Sequence, residues 1–103
     1  MADAFSYKLT SESELFGFDF SQVLQSGEII NSATSSILVM SGTDPNPTAM
    51  LIGGVSVTGA KANQRVAGGI SDVTYRLVVT ALTSYGNTYT AVGDLPVYDP
   101  SLV

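Results

Sequence analysis

Acid–base, nucleophilic and metal chemistry each need particular side chains, and this chain of 103 residues lacks the commonest of them. It has no histidine and no cysteine. That excludes a Ser-His-Asp triad, an imidazole base, a thiolate nucleophile and any zinc site built on Cys or His. Carboxylates remain. Glu12 and Glu14 stand two apart and would share a face of a strand, and Asp94 and Asp99 flank a proline-containing stretch. A glycosidase would need two such groups fixed about 5–10 Å apart across a deep cleft. A domain of this size rarely offers one, so these carboxylates read as solvated surface groups. Asp44 and Asn46 could supply oxygen ligands to calcium, but Pro45 and Pro47 make the same segment a turn, and no Asp-x-Asp-x-Asp-Gly run is present. The pairs Gly53-Gly54 and Gly68-Gly69 open no helix in a phosphate-cradling motif and read as backbone turns. The expectation is a non-enzyme with no cofactor and no metal.

Charge narrows the partners. Lys8, Lys61, Arg65 and Arg76 face nine acidic residues, for a net charge of −5. Four scattered cations make no basic stripe, so nucleic acid and anionic membrane surfaces are both unexpected partners. What remains are aromatic and aliphatic residues where water would favour polar ones, and these are the candidate protein-contact residues. Phe5, Tyr7 and Leu9 alternate near the start, with Ser6, Lys8 and Thr10 opposite. Tyr85 sits at a hairpin tip, either as a contact anchor or folded back over the sheet. Tyr98 and Leu102 lie in the closing segment.

The elements that would position these residues are strands. Phe16, Phe18 and Phe20 alternate with Gly17 and Asp19. Residues 21–25 suit one helical turn, with Ser21 as its cap and Gly27 as its stop. Glu28 to Ser35 alternates, and Ile37 to Met40 is a continuous apolar run that suggests a strand buried on both faces. Residues 41–48 form a loop rich in Pro, Asp, Asn and Gly. Residues 49–52 suit a short strand, and Gly53-Gly54 a bulge or change of sheet. Val55 and Val57 continue the pairing. Gly59 to Asn63 reads as a turn before a short segment near Arg65 and Val66. Val73, Tyr75, Leu77, Val79 and Ala81 line one face of a long strand. It is followed by a hairpin loop at 83–87, a return strand broken at Gly93-Asp94, and a last piece whose Pro96 suggests a sheet edge. About seven short strands joined by turns make an all-β antiparallel sandwich. The expected layout is residues 1–13 as an N-terminal arm or first edge strand, 14–98 as the sandwich and 99–103 as a tail. As an arm, residues 1–10 would pair with a neighbouring subunit. The start has neither the basic nor the apolar region of a signal peptide, and no apolar run spans a membrane, so synthesis in a cytoplasm is expected.

Two resemblances add to this reading. The segment from Gly68 to Ala81 resembles strand F of immunoglobulin-like and fibronectin type III domains, with Tyr75 where those folds place a tyrosine corner. More broadly, the chain resembles small Ig-like proteins encoded among the structural genes of tailed bacteriophages. The shared features are an acidic start, Phe18-Asp19-Phe20-Ser21, then Leu24 and Gly27-Glu28-Ile29-Ile30, a Gly-Gly pair, a Tyr-x-Leu strand and Thr83-Ser84-Tyr85-Gly86. That resemblance implies an Ig-like sandwich acting as a structural virion protein, made in the host cytoplasm. It would sit at the head–tail junction or tail and bind other virion proteins and copies of itself as a homo-oligomer. A capsid decoration or cement protein is the alternative within that class, and a carbohydrate- or cell-surface-binding module the alternative outside it. A sugar module would be expected to display exposed Trp or Tyr platforms, and the chain has no Trp.

Overall fold

The computed structural model describes residues 2–4 and 7–102, the backbone alone for 2–4 and 102. Phe5 lies outside the described residues, and the side chain of Leu102 is likewise not described. The elements in chain order are β1 (Ala2–Ala4), β2 (Lys8–Leu9), β3 (Ser13–Asp19), β4 (Ile30–Ser41), β5 (Leu51–Thr58), β6 (Lys61–Ala67), β7 (Val73–Thr83) and β8 (Thr88–Tyr98). One-turn 3-10 helices occupy Pro47–Met50 and Pro100–Leu102.

The strands form two sheets. The larger has the order β1-β8-β7-β4, with β2 also on β8, and the smaller has the order β3-β6-β5. All pairs are antiparallel except those of β1 and β2, which add to β8 in parallel. The two sheets face each other in an all-β, sandwich-like arrangement. The molecule is long for its mass, 47 × 21 × 20 Å.

The period-2 pattern of β7 does most of the packing. Val73, Tyr75, Leu77, Val79 and Ala81 point inward, against Ile37 of β4, Leu95 and Val97 of β8, Phe16 and Phe18 of β3, and Ala62 and Val66 of β6. Burial of this apolar set drives the two sheets together, at roughly 1.5–3 kcal/mol for each large side chain fully covered.

Several expectations are corrected. The run Ile37 to Met40 is not buried on both faces. Ile37 points into the core, whereas Leu38 and Met40 are 51% and 48% exposed. The reason is position: β4 is the last strand of its sheet, and Leu38 and Met40 point to the face of that sheet away from the core, which no second layer covers among the described residues. Asn63 is not in a turn. The turn is confined to Gly59 and Ala60, and β6 begins at Lys61. Residues 49 and 50 close a 3-10 helix, so β5 starts at Leu51. Gly93-Asp94 does not break β8, because Gly93 pairs with Leu77 in unbroken register. Pro96 does not mark an open sheet margin: β8 is paired by β1 at Val92 to Asp94 and by β2 at Val97 and Tyr98, on either side of it.

The alternation at the start is also inverted. Lys8, expected on the polar face, is 0% exposed, and Tyr7 is 51% exposed. Lys8 pairs with the core residue Val97, which turns its side chain inward. Its Nζ then donates to the carbonyls of Leu9 (2.8 Å) and Gly68 (2.5 Å). Burial lowers its pKa from the usual lysine value, opposed by Glu12 and Glu14 nearby.

Candidate protein interface

The loops gather at the two ends of the sandwich, and the candidate contact residues divide between them. At one end, the turn joining β7 to β8 meets the long connection between β3 and β4. A single turn of that connection is closed by the Phe20 carbonyl, which accepts from Val23 (3.0 Å) and Leu24 (3.1 Å). Glu28 then binds the two loops together. It lies two residues before buried Ile30, with the same strand parity, so its carboxylate points inward. Oε1 accepts the Gln25 N–H at 2.8 Å. Oε2 accepts the Thr83 hydroxyl and, at 2.9 Å, the Asn87 amide. Thr83 Oγ1 in turn accepts the N–H groups of Tyr85 (3.3 Å) and Asn87 (3.2 Å). The Gln25 N–H above all, with Thr83 and Asn87, holds the Glu28 carboxyl below the usual glutamate range, against the effect of burial.

Three further bonds complete this staple. Ser84 N–H donates to the Ile29 carbonyl (2.8 Å), and Ile29 N–H donates to Ser84 Oγ (3.0 Å). Tyr85 Oη donates to the Ser26 carbonyl at 2.6 Å. Tyr85 therefore folds back across the loop while its ring stays 51% exposed. Gly27 makes this possible: its φ is +80°, and a Cβ there would lie 2.8 Å from Tyr85 Oη. Val23, Ile29 and Leu82 are also exposed at this end. Glu28 is the only charged residue between 20 and 43, and none occurs between 77 and 93. With its one charge buried and satisfied, this part of the surface is neutral.

The opposite end is built around Tyr75. Its Oη accepts the Ile70 N–H (3.0 Å) and donates to Asp44 Oδ2 (2.7 Å), the upstream bond expected of a tyrosine corner. Burial, with help from Asp44, pushes the Tyr75 hydroxyl up to about 12. Asp44 Oδ1 accepts the Asn46 N–H (2.9 Å), so both oxygens of this candidate calcium ligand serve the fold. Tyr98 is half-buried, with Tyr7 edge-on against it, ring centroids 5.8 Å apart. Leu9 is half-buried beside them. The described candidates Tyr7, Leu9 and Tyr98 thus share one end, and Tyr85 stands alone at the other. Glu12 and Glu14 lie near this end, and Asp99 caps its own turn, accepting the Ser101 N–H (2.9 Å) and hydroxyl (2.7 Å). Asp94 pairs with Arg76 (2.6 Å) on the outer face of the larger sheet. Of the acidic residues weighed for catalysis, Asp94 is thus held by Arg76 and Asp99 by Ser101.

Sequence reasoning missed Glu28, Lys8 and Gln64. Gln64 is buried between the sheets. Its Oε1 accepts the Ser35 hydroxyl (2.6 Å), and its Nε2 donates to the carbonyls of Ile52 (3.3 Å), Gly53 (3.2 Å) and Arg65 (2.8 Å). It satisfies carbonyls that β5 turns away where Gly53-Gly54 interrupts its register with β6. The available signal was parity: Ala62, Gln64 and Val66 alternate as a core face with one polar member.

Comparison with known proteins returned one family, described as "Podophage GP4 fiber-tail adaptor protein gp77", which matches residues 8–95. No curated protein and no solved structure matches the chain.

Proposed function

The chain belongs to the podophage fiber-tail adaptor family, and on that premise we propose that it works without catalysis, as a small rigid spacer that joins a tail fibre to the tail by protein–protein contact. The match makes it a structural, tail-associated component of a phage virion. The observation that carries the finer reading is its extent: residues 8–95 take in β2 to β7 and most of β8, so the family is matched by the sandwich itself. The family's description as a fiber-tail adaptor favours the fibre attachment over the head–tail junction or a capsid decoration. Two separated ends suit a connector. The end carrying Tyr85, Val23 and Ile29 would seat on one partner, and the end carrying Tyr7 and Tyr98 would meet the other. Self-association as a homo-oligomer belongs to the same reading.

Purified chain should capture the fibre protein and a tail component of its own phage in separate binding experiments. Antibody labelling of intact particles should place it at the fibre bases. Labelling confined to the capsid, or its absence from purified particles, would remove the adaptor reading.

A further inference from the structure

Every sheet margin in a sandwich is a row of unpaired backbone groups, and natural folds blunt such rows with charge, proline, bulges or cover. The four margins here are treated unequally. β8 is paired by β1 at Val92 to Asp94 and by β2 at Val97 and Tyr98. β3 carries Glu14 and Asp19, both exposed. β5 is broken by its irregular register between Ile52 and Ser56, with Gly53 at φ +71°. β4 has the weakest of these defences. Irregular register marks only its two ends, between Ile30 and Ser32 and between Val39 and Ser41. From Ser32 to Val39 it pairs with β7 without a break, it contains no charge and no proline, and, although β5 of the other sheet approaches it, no strand among the described residues pairs with its other side.

We propose that the free edge of β4 is a self-association surface, on which β4 of a second copy adds antiparallel about a twofold axis. Unpaired N–H and C=O groups in extended register specify an extended backbone as the occupant. Charge selects a second copy. Two chains of net charge −5 repel unless they meet where charge is missing, and residues 20–43 hold only the buried Glu28. The nearest ions on the outer face, Arg76 and Asp94, neutralise each other. β4 also meets its own requirement, being regular, uncharged and free of proline. Antiparallel pairing of a strand with itself brings the same surface together on both sides, which is the condition for a closed twofold contact. The outward residues Ser32, Thr34, Ser36 and Leu38 of each copy would face one another in a continuous sheet of order β8-β7-β4-β4-β7-β8. Leu38, exposed in the single chain, would then gain a side-chain neighbour across the new strand pair.

The inference does not rest on the adaptor reading, and its test needs no tail protein. Sedimentation of the full chain over a concentration series should show a reversible dimer. The double variant Thr34→Lys, Ser36→Lys places like charges around the twofold, on exposed positions outside the core. It should keep the wild-type melting profile and weaken dimerisation about tenfold or more. In the wild type, alternate amides between Ala33 and Val39 should exchange slowly in concentrated samples and quickly on dilution, a readout that stands even if the double variant fails to fold. A chain that stays monomeric throughout, or a dimer that the two lysines leave intact, would overturn the proposal. So would a monomer whose capture of fibre or tail protein the lysines abolish, because the edge would then belong to another protein's strand.

Discussion

The two ends of the sandwich solve one problem in opposite ways. At each, a buried polar side chain joins loops that would otherwise lie loosely over the core. At the hairpin end the joint is an ionised carboxylate, Glu28, which can only accept and so gathers donors from Gln25, Thr83 and Asn87. At the corner end it is a neutral hydroxyl, Tyr75, which accepts from Ile70 and donates to Asp44. The choice decides what each end shows to solvent. Hiding the one carboxylate leaves the hairpin end without surface charge on its larger-sheet side. The corner end keeps Asp72, Asp99 and Glu12 exposed. A cross-linked tip loses little conformational entropy on docking, and its larger-sheet side has no charge to desolvate. A charged rim suits a soluble end, or a contact tuned by salt.

The comparison presupposes a common core between the ends, and that core gives the largest expected effect. Leu77 is fully buried at the centre of β7, so Leu77→Ala should cost about 2–5 kcal/mol in urea unfolding. A loss below about 0.5 kcal/mol would mean that the inner face of β7 is not the shared support. Next comes the corner itself. Tyr75→Phe removes the acceptor of the Ile70 N–H and the donor to Asp44, and should cost about 1–3 kcal/mol. The same group sets an alkaline limit. Its pKa in the fold, about 12, stands above the ordinary 10.0, so its contribution is complete below pH 10.0 and is lost as pH rises through about 12. In alkaline titrations of the wild type and Tyr75→Phe, only the wild type should show this loss.

The hairpin end should fail at the other extreme. The Glu28 carboxyl is held below its ordinary 4.5, so its contribution is present above that value and lost as pH falls through the lower pKa of the folded state. Amide exchange at Gln25, Ser84 and Asn87 should accelerate on acidification, while the Ile70 amide at the corner stays protected to lower pH. Glu28→Gln keeps the shape and part of the bonding, and should remove the acid dependence at this end alone. Simultaneous loosening of both ends in acid would show that they are not separate joints.

How much of this could be read beforehand follows from which force decides each feature. Period-2 burial located β3 and β7, which is a local signal, and the bond from Tyr75 back to the chain upstream was expected from the resemblance of residues 68–81 to strand F. Lys8 escaped because its orientation depends on which strand β2 joins: pairing with Val97 turns the lysine inward, and the Gly68 carbonyl is far away in sequence. The exposure of Leu38 and Met40 escaped for the same reason, since an apolar run does not show whether a second layer covers it. Glu28 was visible as an acid but not as a joint, because Thr83 and Asn87 come to it across the fold. The candidate residues were legible as types, aromatics where water would prefer polar groups. Their division between two ends was not, because it is set by topology.

The smallest expected effect on stability is the one that bears most directly on docking. Tyr85 is half exposed, and its hydroxyl bonds one surface carbonyl, that of Ser26. Tyr85→Phe keeps the ring over Gly27 and gives up a hydrogen bond that water can replace, so unfolding should change by no more than about 0.5 kcal/mol. The Glu28 and Ser84 bonds would still hold the loops together. Tyr85→Ala removes the ring as well, and should still melt close to the wild type because little of that ring is in the core. Its effect should appear in binding. An exposed aromatic held in one orientation by its own loop loses little side-chain freedom when covered, which is the property of an interface anchor. Capture of the partner that seats on this end should therefore fall more than tenfold in Tyr85→Ala and stay near wild type in Tyr85→Phe. If both variants bound normally, the hairpin end would be a structural closure and the docking surface would have to be sought around Tyr7 and Tyr98. A large drop in melting temperature for Tyr85→Phe would instead make the Ser26 bond part of the joint and return the residue to the fold.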